Sequence, residues 1–226
     1  MLTVHHLQVS QSERIVWLCE ELGLEYTLKL HKRAPLLSPQ SIKDLHPLGA
    51  APIIQDLDGT LTLAESAACA DWIIHKHGDG RLALPPSHPQ YADYLYWYHY
   101  ANGTLQPSIS RLMALTLAGC GEENPIVRRM RGKLEGHLQL LEDRLAGGGK
   151  PWLAGDEFSA ADIMTVFSLT TMRVFYPVDL GAYTRLLAYL RRATEREGYR
   201  AARERADPGL DYYIQGPPPQ SFVSRL

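Results

Sequence analysis

The sequence predicts two domains of different class: an α/β domain in residues 1–80 and an all-α bundle in residues 91–226, joined by a linker at 81–90. Three observations carry this. Every alternating, strand-like run falls before residue 65. Gly78, Gly80, Pro85, Pro86 and Pro89 then cluster as loop punctuation. Beyond them only helical periodicity remains, broken by short Gly- or Pro-containing connections, as in a bundle.

The elements follow in order. Residues 2–7 alternate around Val4 and Leu7 and predict a strand. Ile15, Leu18, Cys19 and Leu22 recur at helical spacing after a polar start and stop at Gly23. Residues 25–30 predict a second strand, completing a βαβ unit. A short helix fits 38–45. Strands at 52–56 and 60–64, joined at Asp58-Gly59, predict a hairpin, and a helix over 65–77 closes a ββα unit. In the second half helices are predicted over 90–118, 124–146, 159–175 and 183–206, and the proline run at 217–219 reads as a surface strap.

Composition narrows the function classes. The 226 residues are 45% hydrophobic and 21% charged, as in ordinary globular proteins. Net charge is −2, divided as −4 over residues 1–80 and +2 over the rest, which does not favour a nucleic-acid partner. No apolar run reaches the roughly 20 residues of a membrane span, and no secretory signal is visible, so a cytoplasmic location is expected. Cys19, Cys69 and Cys120 form no paired motif, and none of the nine histidines has metal-ligand spacing. The histidines read as surface or edge residues, and the arginines at 128, 129, 131 and 191–205 as a solvated face. No metal is expected.

Three places carry candidate chemistry. Ser10 follows the first strand at the start of the first helix, where its hydroxyl can donate to a ligand thiolate and the helix N-terminus adds partial positive charge. Lowering a thiol pKa from about 8.5 by about two units takes roughly 2.7 kcal/mol. One hydrogen bond to a charged acceptor plus a helix terminus is of that size. Against this, Ser10-x-x-Glu13 has the spacing of a capping box, and Ser12 competes as the cap. Pro52 opens a strand; with a cis Ala51–Pro52 bond, the backbone of Ile53 would pair with an extended peptide at the sheet edge, although trans proline on an edge strand is commoner. Glu65 and Ser66 begin a helix and suit a small carboxylate-bearing ligand, or simply cap it.

Two further features belong to the helical half. Ser159 and Asp162 form a capping-box variant before an apolar run, with Phe158 as staple, and are assigned to folding. Tyr94, Trp97 and Tyr98 share a helix face that is mostly core, while aromatic residues at a cleft rim would stack on an apolar substrate.

Taken together, residues 10–24, the segment from His46 to Ile53, Glu65 and Ser66, residues 97–107, and the Ser159/Asp162 box resemble cytosolic glutathione transferases, in particular serine-type bacterial and fungal members. The resemblance implies a thioredoxin-like N-terminal domain, βαβ–ββα, followed by an all-α helical bundle domain. It implies glutathione as co-substrate, with Ser10 activating the thiol, Pro52 cis, Ile53 on the peptide backbone, and Glu65 and Ser66 on the γ-glutamyl carboxylate. It also implies a homodimer and a small hydrophobic electrophile held by the helical domain, in a detoxification role. Ala50 departs from the polar residue many relatives carry there, leaving the glycine carboxylate to Lys32, Arg33 or Lys43, and Asn102 replaces a frequent acid. The alternatives are a non-catalytic glutathione- or ligand-binding carrier or regulator, or a glutathione-dependent peroxidase.

Overall fold

The computed structural model describes residues 1–33, 37–147 and 149–221. They fall into two compact units: Met1–Pro85 with Thr194–Tyr212, and Pro86–Ala193 with the chain from Tyr213 onward. Residues Thr194–Tyr212, read from sequence as part of the helical domain, therefore belong to the N-terminal unit.

The first unit is a four-stranded mixed sheet with helices. Strands β1 (Thr3–Leu7), β2 (Thr27–His31), β3 (Ile53–Asp56) and β4 (Leu61–Ala64) lie in the order β2-β1-β3-β4. β1 pairs parallel with β2, Val4 opposite Leu28, across the crossover helix α1 (Glu13–Leu22). β3 runs antiparallel to both β1 and β4, with Ile54 opposite Val4 and Leu63. The β3–β4 turn puts Leu57, Asp58 and Gly59 all at positive φ. α2 (Gln40–Lys43) and α3 (Ser66–Lys76) complete the ββα half.

Helix α1 buries Ile15, Val16, Leu18 and Cys19. It ends at Gly23, where φ is 64° and Leu24 N–H reaches the Cys19 carbonyl at 3.0 Å. That left-handed end is what glycine supplies without strain. Against α1 packs α9 (Glu197–Ala206), with Trp17 and Tyr199 edge-to-face at 4.9 Å.

The sequence predicts one helix over 183–206, but the chain forms α8 (Thr184–Thr194) and α9, separated by an extended Arg196. The Arg196 guanidinium grips the Glu21 carboxylate at 2.8 and 2.7 Å, a two-point bond that holds the break.

In the second unit the helix predicted over 90–118 is also interrupted. α4 (Tyr91–Tyr100) passes through a π-helical turn at Ala101–Leu105 into α5 (Gln106–Leu117). Pro107 has no N–H for the Gly103 carbonyl, so the ladder must open there. Tyr94, Trp97 and Tyr98 of α4 are buried, while Tyr96 is 51% exposed. α6 (Pro125–Ala146) is capped by the Asn124 side chain, which accepts from Ile126 N–H.

α7 (Ala160–Leu169) is buried on all sides, and its capping box forms. Asp162 accepts from Ser159 N–H, Leu153 N–H and the Tyr189 hydroxyl, each at 3.0 Å. Its complete burial pushes its pKa up to about 6. The helix predicted over 159–175 ends at Leu169, and from the 3₁₀ turn that follows, Thr171–Val174, the guanidinium of Arg173 donates to the carbonyls of Tyr213, Gln215, Gly216 and Pro217, tying that segment to the helical unit.

Two sequence readings are corrected. His5 and His6 are 2% and 0% exposed rather than surface or edge residues. His5 is flanked by His31 and Gln55 on the neighbouring strands, each at 3.0 Å, and His6 lies between Ser12 and Asp207. Arg203, placed on a solvated face by its charged neighbours, is 3% exposed because Glu13 neutralises it.

Candidate active site

The candidate residues of the N-terminal unit lie on three loops: β1–α1, the turn before β3, and the β4–α3 junction. Ser10 sits on the first, directly after Val9, whose φ of 54° is an outlier for a β-branched residue. Val9 is held there from both sides. Its N–H donates to Asp207 Oδ1 at 3.0 Å, and its carbonyl accepts from Arg33 Nη2 at 2.8 Å. This clamp uses Arg33, one of the three cations the sequence offered for the glycine carboxylate.

Ser10 Oγ lies 2.7 Å from the Leu7 carbonyl, 2.7 Å from Ser12 Oγ and 3.2 Å from Ser12 N–H. The Ser10/Glu13 box does not form: the N-cap of α1 is Ser12, with no side-chain cap bond there, while Ser10 Oγ accepts from Ser12 N–H. Glu13 accepts instead from Arg203 Nη1 at 2.9 Å. Ser12 is fully buried, its Oγ accepting from Leu7 N–H at 3.0 Å and lying 2.9 Å from His6 Nδ1. Of the two hydroxyls Ser12 is the interior one and Ser10 the outer.

The Ala51–Pro52 bond is cis. Ile53 is the first residue of β3, fully buried, in register with His5 on one side and Ala64 on the other. The edge expected from sequence is thus an inner strand.

Glu65 is exposed, with φ at 73°, one of seven non-glycine residues at positive φ among the described residues, and Ser66 is 1% exposed at the start of α3. Left-handed strain of this kind concentrates at ligand-binding positions.

Two residues of α1 and its approach, given no role from sequence, link these loops. Gln11 Nε2 donates to the Ala51 carbonyl at 3.1 Å. Arg14, with no exposed surface, donates from Nη1 to Gln11 Oε1 at 3.2 Å and to Ser66 Oγ at 3.4 Å. A buried guanidinium under the β4–α3 junction adds positive charge where a helix N-terminus already offers N–H groups, a setting for an anion. The signal available in sequence was the i, i+3 spacing of Gln11 and Arg14.

Cysteine chemistry has no foothold on this unit. Burial pushes the Cys69 thiol up to about 12 and raises that of Cys19 as well. Among the described residues no group of three or more His, Cys, Asp or Glu is placed to hold a metal ion, and no helix is long and apolar enough to cross a membrane.

On the helical unit by itself, Leu95, Tyr96, His99, Tyr100, His137 and Leu140 line an open groove of about 560 Å³. Tyr100 and His137 meet through a 2.9 Å hydrogen bond, and Tyr96 stacks on Tyr100. Of the aromatic residues read from sequence as possible rim, Tyr96 is therefore one that remains exposed.

A βαβ–ββα unit with a cis-proline loop, joined to a helical unit, defines a thioredoxin-like domain followed by an all-α domain. Comparison with known proteins takes the assignment further. The glutathione S-transferase N-terminal domain model matches residues 10–76, and the C-terminal domain model residues 124–192. Glutathione S-transferase 3 of Schizosaccharomyces pombe is 30% identical over 92% of this chain and 88% of its own. Glutathione S-transferase 1 of Saccharomyces cerevisiae is 27% identical over 91% and 95%. A solved glutathione S-transferase from Actinobacillus pleuropneumoniae superposes with a TM-score of 0.82 at 29% identity, covering 94% of this chain and 95% of its own. The chain belongs to the glutathione S-transferase family and is an enzyme of that type.

Proposed function

We propose that the protein is a serine-type glutathione transferase in which the Ser10 hydroxyl donates to the glutathione sulfur and holds it as a thiolate. The observation that carries this reading is that Ser10 is not the cap of α1, yet stands beside the strained Val9 at that helix's approach. To reach a thiolate it exchanges its bond to the Leu7 carbonyl for one to sulfur. A hydrogen bond to a charged acceptor gains about 1.5–3 kcal/mol, enough for most of a two-unit drop in thiol pKa.

In the same reading the backbone of Ile53, after Pro52, pairs with the peptide, and Glu65 and Ser66 hold the γ-glutamyl end over the charge of Arg14. The thiolate then attacks a small hydrophobic electrophile held by the helical unit. A cytoplasmic homodimer with a detoxifying role fits this activity.

The test is an ultraviolet thiolate titration of bound glutathione against pH, on the wild type and Ser10→Ala. The expected result is a bound-thiol pKa well below the free value that returns toward it in the variant. Binding with an unshifted pKa in both proteins would make this chain a carrier.

A further inference from the structure

Behind Ser10 runs a line of buried polar side chains that thiol binding alone does not require. Asp207 Oδ2 lies 3.0 Å from His6 Nε2, His6 Nδ1 lies 2.9 Å from Ser12 Oγ, and Ser12 Oγ lies 2.7 Å from Ser10 Oγ. None of the four residues is more than 5% exposed. They come from β1, the β1–α1 loop and the segment after α9, so 201 residues separate His6 from Asp207.

The protons of this line can be counted. Asp207 accepts, so His6 Nε2 carries a hydrogen, and in a neutral imidazole Nδ1 is then an acceptor. From His6 to the Leu7 carbonyl there are three short contacts: His6–Ser12, Ser12–Ser10 and Ser10–Leu7. Only two hydroxyl protons serve them. A third proton, on Nδ1, lets every bond run outward: His6 to Ser12, Ser12 to Ser10, Ser10 to its acceptor. In the free protein, with His6 neutral, one of the three contacts is left without a hydrogen; with a thiolate in place of the Leu7 carbonyl the third proton is present and every contact is served. If Ser10 donates to sulfur while Ser12 donates to His6, two oxygens face each other at 2.7 Å with no hydrogen between them.

We infer that His6 is the acceptor of the thiol proton, reached through Ser10 and Ser12 and held by Asp207. The inference rests on the reading of Ser10 given above. In the step, the glutathione S–H bond breaks and its proton passes to Ser10 Oγ. The Ser10 proton passes to Ser12 Oγ, and the Ser12 proton to His6 Nδ1, forming an N–H bond. Sulfur keeps the electron pair. Thiol and imidazole become thiolate and imidazolium, and no co-reactant enters. After the thioether leaves, the proton returns along the same path to solvent.

In water a thiol holds its proton about two units more strongly than imidazole. The Ser10 bond to sulfur works to close that gap, while the Asp207 carboxylate accepts from the ring at Nε2. Burial works to raise the Asp207 pKa, but the bond and charge of His6, the Val9 N–H and Arg203 outweigh it, so the carboxylate stays ionised. The groups facing the pair include Arg203 and Arg33, which bear on Asp207, and His31, on which His6 bears. His6 and Asp207 act through Ser12 and Ser10 and are positioning residues.

The test uses the unaltered protein labelled with ¹⁵N-histidine, with long-range ¹H–¹⁵N spectra recorded at pH 8 free, with S-methylglutathione and with glutathione. The expected result is a neutral His6 carrying its proton on Nε2 in the first two, and a doubly protonated ring in the third. A neutral His6 beside a glutathione that absorbs as thiolate overturns the relay and leaves the Ser10 reading standing. A doubly protonated ring in all three overturns it as well. Absence of thiolate absorbance overturns the Ser10 reading and the relay with it.

Asp207→Asn is the second arm. Its carbonyl still serves Val9, while its amide turned to Nε2 favours the tautomer with hydrogen on Nδ1, which cannot take the proton. The turnover rate should fall roughly 100-fold with little change in glutathione KM. The thiolate absorbance of bound glutathione at pH 8 should be lost in the variant, because the sulfur keeps its proton. A purely structural Asp207 would change stability and leave that absorbance where it was.

Discussion

Arg203 and Glu13 form a buried ion pair, Nη1 to Oε2 at 2.9 Å, between α9 and α1 of the N-terminal unit. Their side chains are 4% and 6% exposed. Arg203 also donates to the Asp211 carbonyl at 2.7 Å, so one guanidinium fixes the segment that carries Asp207. Glu13→Ala leaves that charge buried without its carboxylate and should cost about 3–5 kcal/mol. Urea unfolding checks this, and a loss below about 1 kcal/mol would show that the pair is not what holds α9 on α1.

Ser66→Ala addresses binding apart from chemistry. If Ser66 meets the γ-glutamyl carboxylate, losing a hydrogen bond to a charged group should weaken glutathione binding by about 10- to 100-fold. The turnover number at saturation should barely move. Calorimetric Kd and steady-state kcat, read together, separate this from a collapse of the helix start, which would lower both.

Asp56 gives an acid-limb prediction. It accepts from Trp72 Nε1 at 2.8 Å and His77 Nε2 at 2.6 Å. Burial works to raise its pKa, but these bonds, that of the Leu57 backbone and the His77 charge outweigh it and leave the pKa below the ordinary 3.8. The unfolded chain therefore binds this proton more readily. The stabilisation is complete above about pH 4 and is lost as pH falls through the lower folded value. The stability difference between wild type and Asp56→Asn should shrink below about pH 4. A difference independent of pH would show that charge plays no part.

Arg173→Met removes the donors that serve the carbonyls of Tyr213, Gln215, Gly216 and Pro217 within the helical unit. The melting temperature should fall by several degrees, and limited proteolysis should cut first within residues 213–217. Unchanged cleavage would mean that the strap is held by its packing rather than by Arg173.

Much of the fold was legible because its signals are local. The alternation around Val4 and the hairpin pattern at 52–64 show their periods within a few residues, as does the stop at Gly23. The Ser159/Asp162 box needs only three residues of spacing. The helices drawn too long, 90–118 and 183–206, failed where local periodicity ran on through a break. Pro107 was a visible signal, while the turn at Arg196 depends on Glu21, far away in sequence.

By itself, then, the sequence determined the two-part architecture, the family, and the places to look: Ser10, Pro52 with Ile53, and Glu65 with Ser66. Only the tertiary structure decided that Ser12 rather than Ser10 occupies the N-cap. It alone put Arg14 under Ser66, made β3 an inner strand, and set Asp207 against His6. The physical reason is that a hydrogen bond or buried ion pair depends on distance in space, and residues 201 positions apart carry no shared period. A histidine on a strand looks the same in sequence whether it meets water or a carboxylate. Burial is a property of the neighbours that the chain brings back, and here Asp207 returns to meet His6 on the first strand.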